Sequence, residues 1–236
     1  MAKIKGFIKM LYARYVPVQL KRLRVKWRYT KPSPNGGTAV FYEIYKQNKW
    51  GSPKSRSGGG SHISTTVVIR AALPVLWRQY EIKTFLDIPC GDYHWMKEVP
   101  KDDITYIGGD IVSELIDENN EKHRLENVTF EVLDITQDAL PKVDMIFCKD
   151  CLQHLSHENA LKALRNMKKS GSKYLLTTSY PKTLSNWDIQ DGDYRPLNLR
   201  KKPFKLPAPL HIVHETSKGV EVDKQMYLYE LEDVNI

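Results

Sequence analysis

At 236 residues, 27% of them charged and 41% hydrophobic, the chain is long enough for one sizeable core and short for two full domains. No apolar run approaches the roughly 20 residues that a bilayer-spanning helix needs. Three cysteines, an odd number, make no disulfide framework, so a reducing, cytoplasmic setting is the expectation.

The net charge of +8 is unevenly spread, and that weakens the case for a nucleic-acid partner. Ten of the 36 basic residues lie within residues 1–31, which hold no acid, and the other 205 residues carry 26 basic against 28 acidic side chains. In this stretch Ile4, Phe7, Ile8, Leu11, Tyr12 and Tyr15 recur at helical spacing between lysines, which predicts a basic amphipathic helix. Two readings stand. It docks on an anionic membrane surface or an acidic protein partner, or it packs on the body with a solvated basic face. The apolar pieces around Lys3, Lys5 and Lys9 are short and lack a small-residue cleavage site, which argues against a secretory signal. Residues 32–39, Pro-Ser-Pro-Asn-Gly-Gly-Thr-Ala, are linker chemistry, so the predicted organisation is an arm over 1–39 and a body over 40–236.

Val40 to Lys49 is aromatic-rich and predicted helical, and Trp50 then leads through a serine-rich stretch into Ser57-Gly58-Gly59-Gly60-Ser61. The glycines read either as a flexible linker or as a loop allowing close backbone approach. In the second reading Ser61 caps a helix from His62 to about Gln79, with Pro74 as a point of kinking. Thr84 to Ile88 is an apolar run holding one acid, Asp87, and broken by Pro89 and Gly91: a buried strand entering a tight turn. A carboxylate there is costly unless a ligand or backbone amides satisfy it. Tyr106-Ile-Gly-Gly-Asp110 repeats the pattern 23 residues later, and an acid at the second strand tip of an open parallel sheet reaches a bound ribose.

A helix over Ser113 to His123 and strands over Asn127 to Leu133 and Val143 to Cys148 follow. Ser156 caps a helix from Glu158 to Ser170, stopped by Gly171, before a fifth strand over Lys173 to Ser179. His211 to Glu215 and Gln225 to Asp233 read as an antiparallel pair. The predicted fold is α/β: a doubly wound, mostly parallel, seven-stranded Rossmann-like sheet ending in an antiparallel hairpin.

Asp87-x-Pro89-x-Gly91 followed by Asp110 resembles the first motifs of class I S-adenosylmethionine-dependent methyltransferases, with Pro89 where many members have glycine and Tyr93 in place of a later one. Trp50-Gly51 with the serine-glycine loop, and Arg195-Pro-Leu-Asn-Leu followed by Pro203-Phe and Leu206-Pro, are similar to small methyltransferases of glycan biosynthesis clusters. The resemblance implies S-adenosylmethionine as cofactor, S-adenosylhomocysteine as product and a carbohydrate acceptor. It also implies cofactor contacts from Asp87, Pro89, Cys90, Gly91, Asp110, Ile111 and Lys149, from Asp134 and Ile135 near the adenine, and from Ser57, Gly58 and Ser61. For Asp134, a plain strand-end acid is the competing reading.

A sugar hydroxyl is a poor nucleophile until its proton begins to leave, so a base is needed. His154, just beyond the fourth strand, is the leading candidate, and Asp150 is second, as base or as the group orienting the histidine. The competing reading is that His154 caps the next helix or packs. Residues 180–209 lack periodicity, and with Trp50 their Trp187, Tyr194, Arg195 and Asn198 offer the ring faces and hydrogen bonds a sugar demands. Cys90, Cys148, Cys151 and His154 form a weak zinc pattern, and Asp188, Asp191 and Asp193 a weak divalent-ion one, so no metal is assigned. The alternatives carried are a nucleic-acid or other small-molecule methyltransferase and a non-catalytic cofactor-binding module. A nucleobase reading lacks an Asn/Asp-Pro-Pro-aromatic run after the fourth strand, and a dehydrogenase reading lacks G-x-G-x-x-G.

Overall fold

Alternation along the strands builds two apolar layers, one on each face of a single sheet. In β1 (Thr84–Asp87) Phe85 and Leu86 point to opposite faces, and in β4 (Met145–Cys148) Phe147 and Ile146 do the same. The computed structural model describes residues 16–28, 39–50, 55–215 and 222–236. The predicted helix over residues 4–15 and nearly all of the 32–39 linker lie outside them.

The other strands are β2 (Thr105–Asp110), β3 (Val128–Val132), β5 (Tyr174–Ser179), β6 (His211–His214) and β7 (Gln225–Glu230). Their order across the sheet is β3-β2-β1-β4-β5-β7-β6. β1 to β5 run parallel, whereas β7 is antiparallel to both β5 and β6. The seven-stranded fold therefore matches the one expected. Strand order reverses between β1 and β4, and an open α/β sheet accepts ligands beyond the carboxyl ends at that switch point.

One face is covered by α3 (Val67–Gln79) and α4 (Ser113–His123), packed on Phe85, Tyr106 and Phe147. α5 (His157–Lys169) covers the other through Ala160, Ala163, Leu164 and Met167. Ser156 caps α5, its hydroxyl accepting from the Asn159 amide at 3.2 Å, and Gly171 ends it with φ of +72°. Among the described residues two helices, α1 (Val18–Arg28) and α2 (Ala39–Lys46), precede these. α1 is joined to the body by a buried ion pair between Arg22 and Asp223, so this part of the expected arm is docked on the domain.

Helix α3 starts later than Ser61. Residues 59–61 form a 3-10 turn, and the hydroxyls of Thr65 and Thr66 donate to the His62 carbonyl at 2.9 and 3.0 Å, holding 62–66 in turns until Val67. Pro74 lies inside α3.

Residues 180–209 are a second departure. Leu197, Leu199, Phe204 and Leu206 are buried with α5 against the sheet, so the segment is a structural cover with few regular hydrogen bonds. Asp188 and Asp191 accept from the amides of His157 and Ser156, both at 2.7 Å, capping α5 instead of standing free for an ion.

Gly108 in β2 is enforced by packing. A Cβ there would lie 2.6 Å from Phe130 Cδ1 and 3.2 Å from the Cys90 side chain. Gly108→Ala is expected to lower stability by about 1–3 kcal/mol in urea unfolding, and a value indistinguishable from the parent would refute this account of the layer.

Candidate active site at the carboxyl edge of the sheet

The tips of β1 to β4 open into one cleft of about 1120 Å³, counting its mouth. Asp87 to Gly91, Asp110 to Val112, Leu133 to Thr136 and Lys149 to Leu155 contribute to its floor and sides, and Phe41, Tyr45 and Trp50 stand across from them.

At one end two acids are almost wholly buried. Asp87 is 3% exposed and accepts from the Tyr106 hydroxyl at 2.7 Å. Burial, opposed by that hydrogen bond, pushes its carboxyl up to about 7. Asp110 accepts from the amides of Gly91 and Val112, each at 3.1 Å, and burial still pushes it up to about 6. A carboxylate has about four acceptor positions, so both acids keep capacity for a ligand. Gly91 has φ of +56°, and a Cβ there would lie 2.2 Å from Ser57 Oγ. That close approach ties the serine-glycine loop to the turn. Asp92 completes the tie, accepting from the Arg56 amide and the Ser55 hydroxyl, both at 3.0 Å.

Asp134 is also buried, yet it mostly serves its own turn. It accepts from the Thr136 amide at 2.8 Å, the Thr136 hydroxyl at 2.6 Å and Gln137 Nε2 at 3.0 Å. It is neither a solvated strand-end acid nor a wholly open acceptor.

At the other end His154 lies between two rings, its centroid 5.1 Å from Trp50 and 5.5 Å from Tyr194. Its Nδ1 is 2.8 Å from the Asp193 carbonyl, an acceptor, so Nδ1 carries the proton and Nε2 keeps the lone pair. Burial pushes its pKa below the ordinary histidine value, against the opposing pull of that carbonyl. Neutral imidazole with a free Nε2 is the form a general base requires. The cover over 180–209 holds the histidine there: the Gly192 amide donates to the His154 carbonyl at 2.8 Å and the Arg195 amide to the Gln153 carbonyl at 3.1 Å.

Asp150 differs from the expectation. Burial works against its ionisation, but Lys149 and Lys224 outweigh it and hold the carboxyl far below the usual carboxylate range. Lys224 Nζ lies 3.0 Å from Asp150 and 3.6 Å from the buried Glu215, and Lys149 also reaches both acids. A carboxylate so paired is a poor base, and His154 is oriented by a carbonyl in its place. Lys149 Nζ additionally donates to the Gly60 carbonyl at 3.3 Å, and a Cβ at Gly60 would lie 2.9 Å from Asp150.

Of the residues expected at the cofactor, Asp87, Pro89, Cys90, Gly91, Asp110, Ile111, Asp134, Ile135, Lys149, Ser57 and Ser61 line the cleft, with Gly58 beside Trp50. Of those expected at the acceptor, Trp50 lines it and Tyr194 adjoins it through His154. Arg195 and Asn198 do not. Arg195 is fully buried and donates to the Leu155 carbonyl at 2.6 Å, while Asn198 Nδ2 donates to the carbonyls of Pro181 and Thr183 at 3.1 and 3.0 Å. Trp187 is likewise absent from the lining. Asn198 thus serves its own loop, and Arg195 the turn after β4. Phe41, Tyr45 and Arg56 were missed by sequence reasoning, although the aromatic spacing in α2 was a signal. Among the described residues no group of three or more His, Cys, Asp or Glu could hold a metal ion.

Residues 85–171 match the family model described as a methyltransferase domain. The N-methyltransferase NodS from Bradyrhizobium japonicum WM9, in complex with S-adenosyl-L-homocysteine, is similar in structure: TM-score 0.62, 14% identity, 80% of this chain and 97% of that one covered. An S-adenosylmethionine-dependent methyltransferase from Clostridium acetobutylicum gives 0.51 at 15% identity, covering 68% and 89%. The methyltransferase domain of bacterial CtHen1-CN gives 0.53 at 10%, covering 70% and 99%. At these identities the likeness is one of fold. Comparison with curated proteins gives no match.

S-adenosylmethionine carries an ammonium group and ribose hydroxyls, which are what two buried acids with raised pKa values can accept, so the cleft fits the cofactor. The folded state holds the Asp87 proton more tightly than the unfolded one, about 7 against 3.8. The contribution of Asp87 to stability therefore declines as pH rises from 4 to 7 and is flat above that. Asp87→Asn is expected to stabilise the ligand-free protein at pH 8 by on the order of 1–3 kcal/mol, and to add little at pH 4. Calorimetry should show at least about tenfold weaker S-adenosylhomocysteine binding. Destabilisation at pH 8 together with unchanged binding would remove Asp87 from the site.

Proposed function

We propose that the chain, an S-adenosylmethionine-dependent methyltransferase, methylates a sugar hydroxyl of a glycan or nucleotide-linked sugar, with His154 as general base. The observation that carries this reading is His154 itself: neutral, its Nδ1 tied to the Asp193 carbonyl, its ring between Trp50 and Tyr194, in the same cleft as Asp87 and Asp110. When bound, the cofactor supplies an electrophilic methyl carbon on a sulfonium sulfur. Asp87 and Asp110 hold the amino and ribose ends, and Lys149, fixed by Gly60 and Asp150, closes the side between them. Trp50 offers a ring face to a sugar, Phe41 and Tyr45 limit water from α2, and His154 Nε2 is the acceptor for the hydroxyl proton. Asp150 keeps its negative charge for the lysines and takes no proton.

The test is transfer of a labelled methyl group to a panel of unmethylated glycans and nucleotide sugars. His154→Ala is expected to lower kcat by about 10²- to 10⁴-fold with S-adenosylhomocysteine affinity unchanged. In the parent, the rate should fall on the acid side as Nε2 becomes protonated, with its midpoint below the ordinary histidine range. Transfer to amines or nucleic acid in place of sugars, or full activity in His154→Ala, would defeat the proposal.

A further inference from the structure

Helix α1 turns two leucines outward and two cations inward. Lys21 and Arg22 are 6% and 4% exposed, whereas Leu20 and Leu23 are 55% and 59% exposed. The inward face is held by the ion pair of Arg22 with Asp223, and Arg22 also lies over the Tyr180 ring, 5.8 Å from its centroid. A helix surrounded by water sorts its side chains the other way, because burying leucine is favourable and burying a cation is costly. Leu20 and Leu23, three residues apart, form one stripe, and Arg24 and Lys26 are exposed on the same helix. Val222, beside Asp223, is 46% exposed, and so is 73% of Leu184, two residues from Lys182, whose amide donates to Asp223. Two leucines and two cations are thus exposed on a helix anchored by a buried ion pair. The sequence continues the theme, with ten basic residues and no acid over residues 1–31.

We infer that this face docks on an anionic lipid bilayer, the leucines entering the interfacial layer and the cations meeting the headgroups. Charge complementarity selects that occupant: a stretch without acids and with apolar side chains between cations is matched by an anionic surface over an apolar interior. Asp223 is followed by Lys224, which pairs with Asp150, a residue of the cleft wall. No helix among the described residues is long and apolar enough to cross a membrane, so the contact is one of surface binding. The inference stands whatever the acceptor is.

The experiment is flotation of the full chain with phosphatidylcholine vesicles containing about 30 mol% phosphatidylglycerol, and with phosphatidylcholine alone. Binding to the anionic vesicles is expected, at least about tenfold weaker on neutral vesicles or at high salt, and about tenfold weaker in Leu20→Asp/Leu23→Asp. Unchanged S-adenosylhomocysteine affinity in that variant shows an intact body, and flotation needs no turnover, so failure of the acceptor assignment is read separately. Equal binding to neutral vesicles, no binding at all, or undiminished binding by the variant overturns the inference. It is also overturned by a dimer that dissociates in the variant, which gives the face to a second copy. A large fall in the variant's unfolding temperature without vesicles overturns it as well, because the chain's own residues then cover the leucines.

Discussion

Two carboxylates shut away from water at neighbouring strand tips set the terms for this domain. Asp87 and Asp110 each incur a desolvation cost that local donors meet only in part: one hydroxyl from Tyr106, two amides from Gly91 and Val112. Their raised pKa values record the remainder. A ligand with an ammonium group and hydroxyls can offer further partners to both acids at this switch point. The positive φ of Gly91 and its contact with Ser57 follow from the same need, since the backbone amide can reach Asp110 only if the turn carries no side chain.

The two ends of the cleft are built by different means. The cofactor end comes from consecutive strand tips, each positioned by parallel pairing with its neighbour. The reactive end depends on a long excursion between β5 and β6, residues 180–209, that returns to the turn after β4. That segment fixes His154 three ways: it accepts from Nδ1, donates to the His154 carbonyl, and uses buried Arg195 to hold the carbonyl of the following residue, Leu155. Arg195 thus bonds to the backbone beside His154 and does not face the cleft.

Lys149, Lys224, Asp150 and Glu215 connect this machinery to the N-terminal helix. Four charges in balanced pairs, mostly closed from solvent, are costly to assemble and costlier to break singly. Because Lys224 adjoins Asp223, the partner of Arg22, α1 and the cleft wall share one short segment of chain.

Much of the fold was legible in the residues. Short apolar runs closed by an acid or broken by Pro89 and Gly91, helices between them and a hairpin near the C-terminus specify a mostly parallel sheet, because those patterns are local and its central strands are buried on both faces. The acids at the tips of β1 and β2 were legible too, since a lone carboxylate closing an apolar run has few structural uses. What only the tertiary structure decided is which partner each polar side chain takes. Arg195, Asn198 and Asp150 have the composition of ligand-binding residues, yet the Leu155 carbonyl, two carbonyls of the loop and two lysines, one adjacent and one distant in sequence, claim them in turn. His154, no different in kind by sequence, keeps a free nitrogen. Leu20 and Leu23 face outward because a buried ion pair some 200 residues away in sequence turns the helix. Hydrogen-bonding capacity is written in the residue type, but whether that capacity is already filled depends on neighbours brought together only by folding.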